Sequence, residues 1–413
     1  MPEFLKLLPP EEALNRFLDA LGDTALMSAE RIPTAQALDR VLAEDIIAPH
    51  DMPPFTRTTV DGYAVRAAET HGASASLPAY LRIIGEVSMG AQAEIKLQPH
   101  SAVLVHTGAM LPDGADAVIM LEDTDHAREG EVEIHRAAAV GDNVLNQGED
   151  VRQGETVLDS GARLRPQEIG GLMGLGITEI AVRLKPAVGI LSTGDEVVPP
   201  ETSAGPGEVR DINTYTLSAL VTRTGGDPVS HGIIPDRFEA LLAAAREAHV
   251  RSDLVIITAG SSVSARDITA DVITELGQPG VLVHGVTIRP GKPTILALAG
   301  SVPVIGLPGN PVSALVIAGL FVRPILQRLL GMTPPCINAT IDARMSLNVA
   351  SVAGREDYQA VRLVPDGEGF AAVPIFGRSN LIFTMIRADG LVRIPAQATG
   401  IAAGEHVQVI PLT

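Results

Sequence analysis

Tryptophan is absent from this chain, and cysteine occurs once, at Cys336. A single cysteine excludes an intrachain disulfide, a CxxC redox pair and a cysteine-rich zinc site. Tyrosine and phenylalanine number only 4 and 8, so the cores have to be built from Leu, Ile, Val and Ala. Basic residues are scarce too: 31 against 49 acidic ones, for a formal charge of −18. Nucleic-acid and anionic-membrane binders present a basic face. No basic run occurs here, so neither is expected as a partner. Nor does any apolar run approach the roughly 20 residues a bilayer requires. The longest, Val312 to Val322, reads as a buried helix. The opening MPEFLKLLPPEEAL lacks a charged segment followed by a long apolar one, the pattern of a secretory signal. A soluble, cytoplasmic protein is expected. An anionic ligand would have to be held locally, by backbone N–H groups, a few Lys or Arg, or a divalent cation. Salt screens the general negative field beyond about 8–10 Å.

What is present suits a multidomain globular chain. At roughly 150 residues per domain, 413 residues imply about two to four domains, and 46% hydrophobic content supplies several cores. Apolar residues at helical spacing predict a helix over Glu11–Leu21, and a second is expected from Thr34 to Leu42. The stretch DMPPFTRTTVDGYAV (51–65) reads as an extended loop at a domain junction. YLRIIGEV, SAVLVHTGAMLP, ADAVIMLED and EVEIHRAA, within 80–140, read as short strands of a β-rich domain. PQEIGGLMGLG predicts a glycine-rich helix. Over 186–331 the strand-like runs AVGILS, DLVIIT and PVIGL alternate with the helical patterns TYTLSALVTRTGG, stopped by Gly225, and DRFEALLAAAREA. That alternation predicts βαβ units and a mostly parallel sheet. Residues 335–413 read as strands broken by GREDY, DGEG, FGRSN and ATG, a small all-β domain.

In an open α/β sheet, ligands bind outside the carboxyl ends of the strands. That rule singles out particular loops. In Ser192-Thr193-Gly194-Asp195-Glu196, two adjacent carboxylates at a strand end can hold a hard cation such as Mg²⁺, or form a solvated capped turn. The loop Thr258-Ala259-Gly260-Ser261-Ser262-Val263-Ser264-Ala265-Arg266-Asp267 has the small residues and hydroxyls to wrap an oxyanion; Asp267 serves equally well as a plain N-cap. Gly306-Leu307-Pro308-Gly309-Asn310-Pro311-Val312-Ser313 places an N-cap residue and a first-turn proline at a helix start, a geometry that also attracts anions. Ile288-Arg289-Pro290-Gly291-Lys292-Pro293 sets two cations beside a tight turn. It is not a Walker A loop, and GxGxxG, HExxH and GxSxG are all missing.

The order of these segments is more specific than any one of them. PPFxxxxxDGYAV, HTGAMLPDGADAVIM, ILSTGDE, the Ser-rich loop ending in Asp267, RPGKP and GLPGNPVSA together resemble the molybdopterin molybdenumtransferase family, the MoeA proteins and the related gephyrin E domain. The resemblance spans nearly the whole chain. It implies a multidomain α/β plus β fold with four segments. A helical and extended domain I (1–48 and 142–184) serves dimerisation, and a β-rich domain II is inserted at 49–141. A three-layer α/β domain III (185–332) binds molybdopterin, and domain IV (333–413) is a β-barrel. The implied activity is insertion of molybdate into adenylated molybdopterin with release of AMP, assisted by Mg²⁺, in a homodimer.

Carried over position by position, the resemblance implies catalytic roles for Asp61, Glu196, Asp236 and Asp267. Substrate binding falls to Thr107, Thr193, Gly194, Ser262, Arg289, Lys292, Pro308, Gly309, Asn310, Pro311 and Ser313. Asp195, Glu196 and Asp267 are the implied metal ligands. Asp61 and Thr107 would act from the partner subunit. Complex formation with the molybdopterin adenylyltransferase stays open. A non-catalytic molybdopterin-binding scaffold and a tungsten-specific homologue are the alternatives, along with a nucleotide or pyrophosphate hydrolase sharing only the α/β domain. Thr56 stands where the family has Asp after PPF, and Ala259 and Ser264 replace loop glycines. If either glycine position required a left-handed backbone, the loop would be strained or reshaped.

Overall fold

The computed structural model describes residues 7–22, 26–259, 263–333 and 339–412, apart from the side chains of 127 and 263–267; Cys336 lies outside this set. The chain forms two compact units. One comprises Glu44–Asp159 and Pro166–Thr178, the other Met1–Ala43, Ser160–Arg165 and Glu179–Thr413.

The smaller unit is built on a six-stranded sheet. Its order is Ala117–Met120, Gly62–Val65, Ser101–Val105, Ala79–Val87, Glu131–Ile134, Thr124–Arg128. Successive side chains on a strand face opposite ways. Tyr63, Val65, Ala102 and Ile119 enter one core, while Ala64, Val103, Val105 and Val118 enter the other. The stretch 51–65 is thus not a loop throughout. Arg57–Thr58 is a short strand paired with Val144–Leu145, and Gly62–Val65 is a buried strand paired on both sides. The glycine-rich helix forms over Pro166–Gly174.

In the larger unit a helix spans Pro10–Leu21 and buries Ala13, Phe17 and Leu21. The helix expected over Thr34–Leu42 does not form. Only a 3₁₀ turn, Thr34–Gln36, is present. Asp39 takes φ 63, and its N–H, like that of Leu42, is donated to the 162–164 segment. Pairing of the backbone with a distant segment of the same chain therefore overrides a helical apolar pattern.

The α/β core of this unit has, in chain order, β1 (Ala187–Thr193), α1 (Asn213–Thr224), β2 (Asp227–Ile234), α2 (Phe238–Arg251), β3 (Leu254–Ala259), α3 (Val263–Leu276), β4 (Pro279–His284), β5 (Ile295–Ala299), β6 (Val302–Pro308), α4 (Pro311–Ile317) and α5 (Arg323–Leu329). The sheet order is β2-β1-β3-β6-β5-β4. The β2-β1-β3-β6 pairings are parallel, and β5 and β4 add an antiparallel edge. The runs AVGILS, DLVIIT and PVIGL are β1, β3 and β6. They are almost wholly buried, as a sheet covered on both faces requires. The edge strands β2 and β4 were not legible, because each mixes Pro or Gly with half-exposed positions. Helices α1, α4 and α5 pack on one face, α2 and α3 on the other, giving three layers. Gly225 ends α1 in the left-handed conformation, φ 99.

Between α4 and α5 the helix continues through a π turn, Ala318–Val322. Pro324 follows directly; its ring displaces the carbonyl four residues back, and a wider turn accommodates it. Pro311–Leu329 is the one helix among the described residues long and apolar enough to cross a membrane. It packs into the core instead: Ile317, Ala318, Phe321, Val322, Ile325, Leu326 and Leu329 recur at helical spacing and are buried.

The C-terminal strands Glu356–Asp366, Gly369–Pro374, Ile341–Met345, His406–Pro411 and Gly390–Ile394 close into a barrel, because the last pairs back to the first. A parallel bridge, Ile288–Arg289 with Glu356–Asp357, ties the α/β core to this barrel.

Phe321 is fully buried where α4 and α5 meet the sheet. Phe321→Ala should lower unfolding free energy by about 3–5 kcal/mol in chemical denaturation. A loss below about 1 kcal/mol would contradict its place in the core.

Candidate active site

The strand order reverses direction at β1, since β2 lies on one side of it and β3 on the other. Such a switch point opens a crevice at the carboxyl ends of the two central strands. The register makes this specific. Ser192 pairs with Thr258, and Thr258 with Leu307, while Ala259 pairs with Pro308. The loops leaving β1, β3 and β6 therefore start at one level of one sheet edge.

At the end of β1, Gly194 takes φ +146, and a Cβ there would lie 2.8 Å from Glu196 Oε2. Glycine is needed to turn Asp195 and Glu196 off the strand. The Gly194 N–H donates to Ile234 O at 3.3 Å, and the Asp236 N–H to Asp195 Oδ1 at 3.2 Å, so the end of β2 is drawn into the same corner. Burial raises the Asp236 carboxyl above its ordinary range; the charges of Glu196 and Asp195 add to this, and a hydrogen bond from Thr193 opposes it. Three acidic side chains thus act on one another here, and one of them, Asp236, is hydrogen-bonded to the buried Thr193. Among the described residues no group of His, Cys, Asp and Glu forms a ready-made metal cluster. Even so, Mg²⁺ is commonly held by one or two carboxylates together with water and substrate phosphate, which this donor set can supply. Ser262 lies outside the described residues, as does the Asp267 side chain, although the Asp267 backbone is in α3.

Beneath that corner, buried Asp211 accepts from Ser192 Oγ at 3.4 Å and from the Thr214 N–H at 3.1 Å. Asn213 donates its Nδ2 to Gly309 O at 2.8 Å. One buried amide therefore fastens the loop after β6 to the start of α1.

The loop after β6 lines a cavity of about 990 Å³ between the α/β core and the barrel. Pro308, Gly309, Asn310 and Ser313 form part of its wall, as do Arg289 and Lys292. Pro311 is buried and not in that wall. The residues Thr193 to Glu196 and Asp236 are also not among its lining. Asn310 stands at the N-cap position with Pro311 next, as expected, but makes no side-chain capping bond. The first turn offers fewer N–H groups to an anion than its sequence suggested. Pro311 has none, and that of Val312 is donated to Ser379 O of the barrel segment. Gly291, at φ +115, turns the chain between Arg289 and Lys292; a Cβ there would meet Ile317 Cδ1 at 2.3 Å.

The barrel contributes Arg355, Asp357 and Arg378 to the same cavity. These residues escaped sequence reasoning because GREDY and FGRSN look like strand-breaking turns. Only the parallel bridge at Ile288–Arg289 brings that turn to the RPGKP loop. Ala259 is paired strand, so loss of a glycine there imposes no left-handed residue. Ser264 lies within α3.

In the other unit, Asp61 Oδ1 accepts from the Thr107 N–H at 2.8 Å and from Thr107 Oγ1 at 3.3 Å. His106 Nδ1 approaches the same oxygen at 3.8 Å, and its Nε2 meets Glu86 at 2.7 Å. The two sequence-predicted residues form one exposed polar cluster.

Comparison with known proteins gives a consistent result. Residues 8–176 match the MoeA N-terminal region (domain I and II), 189–328 a probable molybdopterin binding domain, and 342–412 the MoeA C-terminal region (domain IV). The molybdopterin molybdenumtransferase of Bacillus subtilis is 34% identical, covering 98% of this chain and 94% of that protein. The one from Haemophilus influenzae is 31% identical, with 98% of each covered. A crystal structure of the molybdopterin biosynthesis moeA protein from Pyrococcus horikoshii OT3 superposes with a TM-score of 0.84 at 32% identity, covering 98% of this chain and 99% of that one. Family motifs, relatives matched over 94% and 98% of their length and a shared architecture agree: this chain belongs to the MoeA family of molybdopterin molybdenumtransferases.

Proposed function

We propose that this protein inserts molybdate into adenylated molybdopterin, with cleavage of the diphosphate link and release of AMP. The observation that carries the reading is a cation-lined cavity in an acidic protein. The chain has a formal charge of −18, yet Arg289, Lys292, Arg355 and Arg378 all line one cavity of about 990 Å³. That volume suits a large ligand. Concentrating cations at one place offsets the unfavourable general field for a ligand carrying phosphates, and molybdate is an anion as well.

Arg289, Lys292 and Arg355 bind phosphate or molybdate oxygens, with Pro308, Gly309, Asn310 and Ser313 shaping the wall and buried Pro311 fixing the helix start behind it. At the switch point, Glu196, Asp236 and Asp267 orient water or leaving group, and Thr193, Gly194 and Ser262 contact substrate. Asp195, Glu196 and Asp267 would hold Mg²⁺; the crowding that raises the Asp236 carboxyl supports a cation there. When bound, such a cation neutralises phosphate oxygens and polarises the anhydride. The protein works as a homodimer in the cytoplasm, and Asp61 and Thr107 serve the site of the partner subunit. The bonds holding Thr107 on Asp61 support a prearranged polar pair. The adenylyltransferase that supplies the substrate is a natural partner. Domain limits of 1–48 with 142–184, 49–141, 185–332 and 333–413 are part of the same proposal.

Glu196→Ala should lower AMP release from adenylated pterin by at least about a hundredfold while leaving the fold intact by circular dichroism. Release at the wild-type rate removes Glu196 from the chemistry. Lys292→Ala should weaken AMP binding by about tenfold in calorimetry; unchanged affinity contradicts its anion role.

Asp236 gives a pH-dependent prediction. A carboxyl raised above its ordinary value holds its proton more tightly in the folded protein. Stability is therefore lost as pH rises from the ordinary carboxylate range through the raised value. Asp236→Asn removes that penalty. It should raise Tm by roughly 1–2 °C at pH 7, a small gain because solvent screens the group, and give no gain at pH below the ordinary carboxylate range. A fall in Tm at pH 7 would contradict the crowding.

A further inference from the structure

We infer that Asp357 is a positioning residue that holds Arg289 and Arg355 together as one anion clamp. The inference rests on reading the cavity as an anion site and adds the device that organises it. Asp357 is an odd component of such a cavity. Its charge repels the proposed ligand, and it is only 6% exposed, so it is costly to bury unless paired. The pairing is specific. Arg355 Nε donates to Asp357 Oδ1 at 2.9 Å and Nη2 to Oδ2 at 3.5 Å, while Arg289 Nη1 lies 3.6 Å from Oδ2. All three residues line the cavity.

The register explains how they meet. Arg289 is directly opposite Asp357 in the parallel bridge between the α/β core and the barrel, and Arg355 is two residues before Asp357. Without a carboxylate between them, two guanidinium groups would repel and separate. Each guanidinium carries five N–H donors in a planar fork. Asp357 engages Nε and Nη2 of Arg355 and Nη1 of Arg289, and among the described residues neither arginine makes another ion pair. The remaining donors are left for an oxyanion. Asp357 thus gives up some attraction for the ligand in return for geometry, since a preorganised fork binds phosphate bidentately.

The sign of one substitution separates this role from a bystander charge. Asp357→Asn keeps the shape and removes a negative charge. If the carboxylate only repels the ligand, AMP binds tighter; if it positions the clamp, AMP binds about tenfold weaker. Isothermal calorimetry on the full chain with AMP reads the difference. In an Arg355→Gln background the effect of Asp357→Asn should shrink to under about threefold, because the two act as a unit. Should Asp357→Asn fail to fold, Arg355→Lys serves. It preserves charge but loses the fork, and should weaken AMP by about fivefold to tenfold. Tighter or unchanged binding by Asp357→Asn overturns the clamp, as does an equal loss in both backgrounds or wild-type affinity in Arg355→Lys. If wild type itself binds no AMP, the anion reading of the cavity falls and takes the clamp with it.

Discussion

The site depends on the parallel register of β1, β3 and β6. Because Ser192 pairs with Thr258 and Thr258 with Leu307, the loops after these strands leave the sheet at one level. A slip by one residue would turn each strand's side chains to the opposite face. The two helical layers forbid it, since β1, β3 and β6 present large aliphatic residues to both cores. Packing of Val, Ile and Leu, with no chemistry of their own, is thus what aligns Thr193, Ala259 and Pro308.

A second constraint is electrostatic. An acidic chain that handles an anion has to work against its own field, and the structure does so by concentration. Arg289 and Lys292 come from one turn of the α/β core, Arg355 and Arg378 from the barrel. The bridge at Ile288–Arg289 joins the two sources. The acidic groups Asp195, Glu196 and Asp236 gather separately, at the ends of β1 and β2, where burial and mutual repulsion raise Asp236. Cation-rich and acid-rich regions suit different parts of one reaction: holding an anion, and placing a cation or a water.

Much of this was legible in the chain. Alternation of strand and helix patterns identified the α/β core, and unbroken aliphatic runs marked β1, β3 and β6. Glycine in STGDE and RPGKP marked turns that a side chain would obstruct. Legibility failed where a residue's meaning came from a distant partner. The helix expected at Thr34–Leu42 gave way to pairing with residues 162–164. Gly62–Val65 looked like loop because its position in a sheet is set by Ser101–Val105 and Ala117–Met120. Val312 loses its N–H to Ser379, a contact no local pattern encodes. Arg355 and Asp357 appeared as a turn and become part of the cavity only through a bridge to Arg289, far earlier in the chain.

The central claim is that a cation-lined cavity walled by the loop after β6 receives an anionic, metal-bearing cargo. Anomalous diffraction from crystals of the full chain soaked with molybdate tests it most directly. The account predicts molybdenum within the cavity bounded by Arg289, Lys292, Arg355 and the Pro308–Ser313 loop. Molybdenum bound only elsewhere, with that cavity unchanged at saturating molybdate, would contradict it.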